Sequence, residues 1–476
     1  MQPNTITIAA IDFGSYRIKG ALAQKQSNNR FEILCYADEL TEGCIHRGVI
    51  YNMETVARKV QLIISKLEKL SGTKIVKVFA NVGGQSLRTI SHVESITFDA
   101  PHEITQQDID KLYEQIDDYT PDRYSVLKVD SPVYYVNSNY TTAPVGVQAM
   151  KIDARYQLIV AKEHMLGNLM SVVQNKLGLQ LGGPLIPSIA LGNTFLTDDQ
   201  KNLGCVLIDL GAGTTTVSVF KKGLLQGIRV IPLGGINITK DLTALHIIDK
   251  EAERIKCFGG SAISEPGDKN TIEVNAADKL STKLLSRYEV CRYIEARTQE
   301  ILDNVRNVID QMISPEQIGG GIIITGGGSE LAGILEKLSK TLDTRIELAS
   351  SLVTPESHNV EYAKNPKLHL LYAIIEYANQ DCIERIPSTP TQQLLIPTEE
   401  EEGLNSPQPD FPEDDLFTAN EAPKAQGELF SSNETPVVKN KPQAPKPDPV
   451  VKKQKKLGSR ISSIFSNLFP VGDDEV

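Results

Sequence analysis

Apolar and mixed residues alternate along the first 384 positions, with local periods that switch between two and 3.6. ITIAAIDFGSYRIKGALA (Ile6–Ala23) reads as a buried apolar strand ending in Asp12, a tight turn over Asp12–Ser15, and a second strand. GCVLIDLGAGTTTVSVF (Gly204–Phe220) repeats that form around Asp209, with Val217 and Val219 alternating on one face of its second strand. A third glycine element, GIIITGGGSELAGILEKLSK (Gly321–Lys340), passes from a strand through Gly326, Gly327 and Gly328 into a helix. Between these lie two helical patterns. Met53–Leu70 has Val56, Val60, Ile63, Ile64 and Leu67 on one face, and Leu285–Ile309 forms the second. Two similar halves, each opened by an Asp-x-Gly hairpin, predict a duplicated α/β fold with a cleft between them. A Rossmann or P-loop unit would run from its glycine loop straight into a helix. Here both Asp-x-Gly bends return as strands, and GxxxxGK[ST] is absent.

The pattern changes after residue 384. Residues 385–450 are rich in Pro, Glu, Asp, Gln, Asn and Ser, with acidic runs at Glu399–Glu402 and Glu413–Asp415. Such a segment buries too little apolar surface to offset its ordering entropy, so it reads as a disordered linker. Leu416–Phe417 and Leu429–Phe430 are apolar islands within it, equally suited to a partner motif or to no use. Residues 451–476 differ again. Leu457, Ile461, Ile464, Phe465, Leu468 and Phe469 share one helical face, Lys452, Lys453, Lys455 and Lys456 precede them, and Pro470 ends the run. A short helix with no core to cover its apolar face and a basic cluster beside it suits an anionic membrane surface. Docking on a partner protein is the second reading, but it gives the lysines no use.

Composition narrows the possibilities. With 49 basic and 60 acidic residues, net −11, the whole chain is unsuited to nucleic acid. Six scattered cysteines without a CxxC pair read as reduced thiols. MQPNTITIAAIDFG lacks the basic and apolar regions of a secretory leader, and no run approaches the roughly 18 apolar residues of a spanning helix. Any membrane contact is therefore expected from one side.

The bends carry the candidate chemistry. Gly14, Gly211 and Gly213 are expected to adopt φ > 0 and let backbone N–H groups approach an anion. Ser15, Thr214 and Thr215 add hydroxyls, and Tyr16 completes the first bend. Asp12 and Asp209 would repel phosphate unless a divalent cation lay between them, a role that suits Mg²⁺. Lys19 can reach a β- or γ-phosphate, and the helix expected after Gly326–Gly328 offers its N-terminus to the α-phosphate or sugar.

These paired hairpins and the TGGG turn resemble the phosphate and adenosine motifs of the actin superfamily. That resemblance implies ATP as ligand and assigns Glu253 and Lys256, in EAERIKCFGGSA, to the adenosine. The same spacing also suits an ion pair on a solvated helix face. Within the superfamily, residues 5–380 resemble FtsA. The insertion beginning near Asn81 (NVGGQSLRTI), running through EITQQDIDKLYEQI and YYVNSNYTTAPVGVQAMKIDARYQLIV, looks like the extra subdomain of that family.

The expected organisation is an α/β, actin-like duplicated fold with two domains around a nucleotide cleft. Residues 1–81 form the first part of subdomain 1A, 82–163 the inserted subdomain 1C, 164–202 a return to 1A, and 203–384 the second domain (2A and 2B), with its final helix returning to 1A. A linker at 385–450 and a membrane-targeting tail at 451–476 follow. GDKNTIEV and RYIEARTQEIL resemble the part of FtsA that binds the tail peptide of FtsZ, with Arg297 at a basic position used there; a surface ion pair is the other reading.

The resemblance implies a division protein that tethers FtsZ polymers to the cytoplasmic face of the inner membrane at the division site. It also implies self-association into actin-like filaments and recruitment of other division proteins. A pilus-assembly ATP-binding protein and an actin-fold small-molecule kinase are the alternatives. In PLIPSIALGNTF, Ile186 stands where good ATPases of the superfamily carry a polar residue. An isoleucine cannot orient or deprotonate water, so hydrolysis is expected to be slow or absent. The tail reading makes a direct prediction. Phe465→Glu should release the protein from anionic vesicles in a co-sedimentation assay and leave ATP binding unchanged, because the linker uncouples the two regions. Retention on the vesicles would favour the protein-docking reading.

Overall fold

A computed structural model describes residues 5–275, 282–352 and 359–384. The linker and the amphipathic tail expected at 385–476 lie outside the described residues, and with them Leu457, Ile461, Ile464, Phe465, Leu468 and Phe469.

The first sheet grows from β1 (Ile6–Phe13), whose residues from Ile8 onward are buried on both faces. β2 (Arg17–Lys25) and β3 (Phe31–Leu40) follow as an antiparallel meander. After a small hairpin, β4 (Ile45–His46) and β5 (Val49–Ile50), comes α1 (Met53–Ser71). Asn52 caps α1 by accepting from the Thr55 N–H, and Gly72 ends it at φ 69°. Its buried stripe is the one read from the sequence, and it lies on β2. There a Cβ on Gly20 would stand 2.4 Å from Ile63 Cγ2. The crossover delivers β6 (Lys77–Asn81) parallel to β1.

An inserted sheet follows. β7 (Arg88–Glu103) leads to α2 (Gln106–Asp118), β8 (Tyr124–Val129), β9 (Val133–Val136), β10 (Asn139–Thr141) and β11 (Gln148–Lys162). The long β7 and β11 pair antiparallel, and β8 and β9 also pair with β11. Ile109, Leu112 and Ile116 of α2 meet Ile152, Tyr156 and Leu158 in a core separate from those of the two halves. Thr105 and Asp108 form a reciprocal cap at the start of α2. Burial opposes ionisation of Asp108. Hydrogen bonds from Thr105, His102 and Lys111 outweigh it and hold the carboxyl well below the usual carboxylate range.

The chain returns through α3 (Glu163–Met170) to β12 (Gln180–Leu185), which closes the first sheet in the order β12-β6-β1-β2-β3. α4 (Pro187–Phe195) and α5 (Asp198–Leu203) lead into the second half. Its meander is β13 (Cys205–Leu210), β14 (Thr215–Lys221) and β15 (Leu224–Ile231). Next come α6 (Gly235–Leu242), α7 (Asp249–Phe258), the β16–β17 hairpin (Thr271–Asn275, Thr282–Ser286) and α8 (Arg287–Met312). β18 (Ile322–Thr325), α9 (Ile334–Leu342), β19 (Ile346–Leu348), α10 (Val360–Lys364) and α11 (His369–Tyr377) complete the described fold. The second sheet runs β15-β14-β13-β18-β19 and repeats the first. In each, an antiparallel meander lies on one side of the central strand and two parallel strands on the other.

Strand β13 shows why its sequence is apolar without alternation. Cys205 and Leu207 join the core of the first half, while Val206 and Ile208 pack under Leu302, Val305 and Ile309 of α8. The one-faced alternation expected for β14 is corrected by the same geometry. Ser218 and Phe220 are buried along with Val217 and Val219, because α4 covers their face. There Ser218 Oγ donates to Ser188 Oγ at 2.7 Å, and a Cβ on Gly192 would fall 2.3 Å from Phe220 Cζ. No helix among the described residues is long and apolar enough to cross a membrane.

α11 joins the two halves. It packs on α4 and β1, and its buried His369 hydrogen-bonds Thr325 at the end of β18 through Nδ1 at 2.6 Å. Phe195 stacks on the imidazole with ring centroids 4.2 Å apart. Burial drives the His369 pKa from 6.5 down to about 4, against the opposing Ala363 carbonyl, so the ring is neutral in the fold. Between pH 6.5 and about 4 the unfolded chain binds this proton and the folded chain does not. Stability from this site is therefore complete above pH 6.5 and falls as pH drops toward 4, by on the order of 3 kcal/mol. Urea unfolding across that range should show the loss, and His369→Gln should remove most of the slope.

Candidate functional site

The two Asp-x-Gly bends have the same construction. Asp12 stands opposite Lys19 in the β1–β2 register, and Lys19 Nζ lies 2.7 Å from Asp12 Oδ2. A Cβ on Gly14 would lie 2.7 Å from the Arg17 carbonyl oxygen, and one on Gly211 would lie 2.7 Å from that of Thr214. The Gly211 N–H closes the second bend by donating to the Thr214 carbonyl at 2.9 Å. Gly14, Gly211 and Gly213 all keep φ outside the left-handed region, which corrects the expectation for them. Gly14 and Gly211 are required by the close approach of a backbone carbonyl, and Gly213 by the Ser15 side chain packed against it. Gly326 does take φ 82°, and a Cβ there would lie 2.2 Å from Asp209 Oδ1.

The bends meet at their tips. A Cβ on Gly213 would stand 2.6 Å from Ser15 Oγ and 3.2 Å from the Arg47 Cα. Two supports of the first bend were missed in the sequence. The Phe13 N–H donates to Asn81 Oδ1 at 2.8 Å, placing the buried Asn81 beneath the bend. The Gly48 N–H at the tip of the β4–β5 hairpin donates to Ser15 Oγ at 2.8 Å. The available signal was the Arg-Gly pair in CIHRGVI, a turn between two short apolar pairs.

The electrostatics couple the halves. Burial raises the Asp209 pKa to about 6, the negative charge of Asp12 adds to that, and Lys19 opposes it. Tyr16, on the first bend, has its phenol pKa raised by burial and then by Glu253 of α7. Lys256 Nζ sits 2.6 Å from Glu253 Oε2 and donates to Thr239 Oγ1 at 2.9 Å and to the Gly235 carbonyl at 3.1 Å. The start of α6 is tied to the second bend, since the Gly235 and Ile236 N–H groups donate to the carbonyls of Gly211 and Ala212. Asp12, Lys19, Asp209 and Gly326 are thus brought together, and the Glu253–Lys256 pair is joined to the second bend through α6.

Other residues sit differently from expectation. Thr215 is buried and its hydroxyl donates to the Leu233 carbonyl, so it turns into the fold, whereas Thr214 remains half-buried at the bend. The Gly326–Gly328 turn opens a single 3-10 turn, Gly327–Glu330, held by Ser329 Oγ on the Gly326 carbonyl. α9 begins only at Ile334, so its N-terminus is not the one expected at the glycines. Ile186 is fully buried at the start of α4. Arg297, on α8, is bidentate to Asp241 at 2.6 and 3.0 Å and also pairs with Glu300. Beside it lies a shallow groove of about 490 Å³, lined by Lys240, Asp241, Tyr293 and their neighbours.

The family model for "Cell division protein FtsA" matches residues 206–373. Over 343 residues the chain is 33% identical to Cell division protein FtsA of Porphyromonas gingivalis, covering 71% of each. This chain belongs to the FtsA family. FtsA of Neisseria meningitidis is 26% identical over 342 residues, which cover 71% of this chain and 82% of that protein. Among solved structures, the PilM-PilN type IV pilus biogenesis complex aligns at a TM-score of 0.53 and 14% identity, over 77% of this chain and 97% of that chain. The fold of this FtsA-family chain is accordingly the actin-like one expected from the hairpins. Its first bend should depend on Asn81. Asn81→Ala leaves the Phe13 N–H unpaired inside the protein and should cost about 1–3 kcal/mol in urea unfolding.

Proposed function

We propose that this FtsA-family chain binds ATP with Mg²⁺ between its two halves and tethers FtsZ polymers to the cytoplasmic face of the inner membrane at the division site. The nucleotide reading is carried by one observation. Two equivalent bends bring carboxylates Asp12 and Asp209 into each other's field, with Lys19 against Asp12. A divalent ion fits this donor set, because it would relieve the repulsion that helps raise Asp209. Among the described residues no group of three His, Cys, Asp or Glu side chains is placed to hold a metal. Phosphate oxygens and water would fill the remaining positions, as suits Mg²⁺. When bound, that ion offsets the charge of the polyphosphate. Backbone N–H groups of the two bends and Lys19 then orient the phosphates. Glu253 and Lys256 turn to the adenosine by giving up their ties to Thr239 and Gly235. Ile186, buried hydrocarbon, supplies no base for water, so turnover is slow.

Membership of the FtsA family supports the cellular role. Arg297 and the adjoining groove are the proposed seat of an acidic FtsZ tail segment, which would compete with Asp241 and Glu300 for the guanidinium. The amphipathic tail read from the sequence supplies the membrane contact, and self-association and binding of other division proteins complete the scaffold. The test is titration calorimetry with Mg-ATP on the wild type, Asp209→Ala and Gly211→Val. Both variants should lose at least tenfold in affinity while far-UV circular dichroism stays native. Unchanged affinity in both would overturn the cleft assignment.

A further inference from the structure

The tip of the β4–β5 hairpin touches both bends and the root of the inserted sheet. Arg47 and Gly48 form its two-residue turn, at φ 50° and 73°. Turns of this hand favour Asn or Asp followed by Gly, and an arginine with positive φ carries strain. Strain of that kind collects where a side chain has a task. The turn is also rigidly held. A Cβ on Gly48 would lie 2.6 Å from the Gly84 Cα, the Gly48 N–H donates to Ser15 Oγ, and the Arg47 carbonyl accepts from the Gln85 N–H at 3.1 Å. Its Cα is the backbone neighbour of Gly213 on the opposite bend.

The charge of Arg47 stands apart from its peers. The other half-buried arginines among the described residues, Arg17, Arg287 and Arg297, each pair with a carboxylate. Arg47 is half-buried too, yet no described residue gives its guanidinium an ion pair or hydrogen bond. A guanidinium with no partner of its own, carried on a turn that touches both bends, calls for an anion with several oxygens. We propose that Arg47 contacts the terminal phosphate of a nucleoside triphosphate held between the bends, and so makes the cleft discriminate triphosphate from diphosphate. This rests on the nucleotide reading above. Glu253 and Lys256 are assigned to the adenosine on the second half. The hairpin of Arg47 is anchored on the first bend, at the phosphate end.

The experiment measures Mg-ATP and Mg-ADP affinities by calorimetry for the full chain, Arg47→Asn and Arg47→Lys. Asn accepts the left-handed turn, so the hairpin survives, and a melting temperature within about 2 °C of wild type would verify that. Arg47→Asn should weaken ATP at least tenfold and ADP less than threefold, and Arg47→Lys should recover part of the difference. Equal weakening of both nucleotides, or no weakening of either, overturns the assignment while leaving the cleft reading standing. Wild-type protein that binds neither nucleotide overturns both.

Discussion

Two carboxylates that repel each other are held near one place by elements more than 190 residues apart in the chain, and the surrounding structure is arranged to keep them there. Asp12 is partly neutralised by Lys19 across its own hairpin. Asp209 has no ion-pair partner among the described residues, and burial, with the charge of Asp12 adding to it, raises its pKa. Neither side chain can retreat, because each ends a buried central strand. A bend follows each strand, with a glycine lying against the carbonyl three residues on.

The duplicated sheets make this convergence possible. Each places its carboxylate at the same end of the same strand in the same order. The halves are joined by hydrocarbon as well as by the bends. One face of β13 belongs to the core of the first half, Gly192 lets α4 close over Phe220, and α11 pins Thr325 through His369. The glycine turn beside Asp209 is thereby braced from the first half, since Thr325 immediately precedes Gly326 and pairs with Asp209 in the β13–β18 ladder.

The inserted sheet is coupled to this arrangement at its root. Thr89, buried at the start of β7, accepts from the Ile228 N–H and, through its carbonyl, from Arg229 of β15 in the second half. Gly84, a few residues earlier, touches the β4–β5 tip that supports Ser15. One short stretch therefore meets both the first bend and the second sheet.

The duplicated α/β character, the two bends and the long helices α1 and α8 were legible in the sequence, because they depend on local periodicity and on turn chemistry within a few residues. The candidate residues Asp12, Lys19 and Asp209 were legible for the same reason, since an Asp ending an apolar strand before a glycine stands out. What tertiary structure alone decided was what those residues face. The hydroxyl of Thr215 turned inward to Leu233, and the TGGG turn led into a single 3-10 turn held by Ser329. Asn81 and the Arg47–Gly48 tip took up support of the first bend from distant positions. Sequence patterning records whether a residue is buried. The identity of its neighbour depends on which elements stack between the two halves, and no local period encodes that.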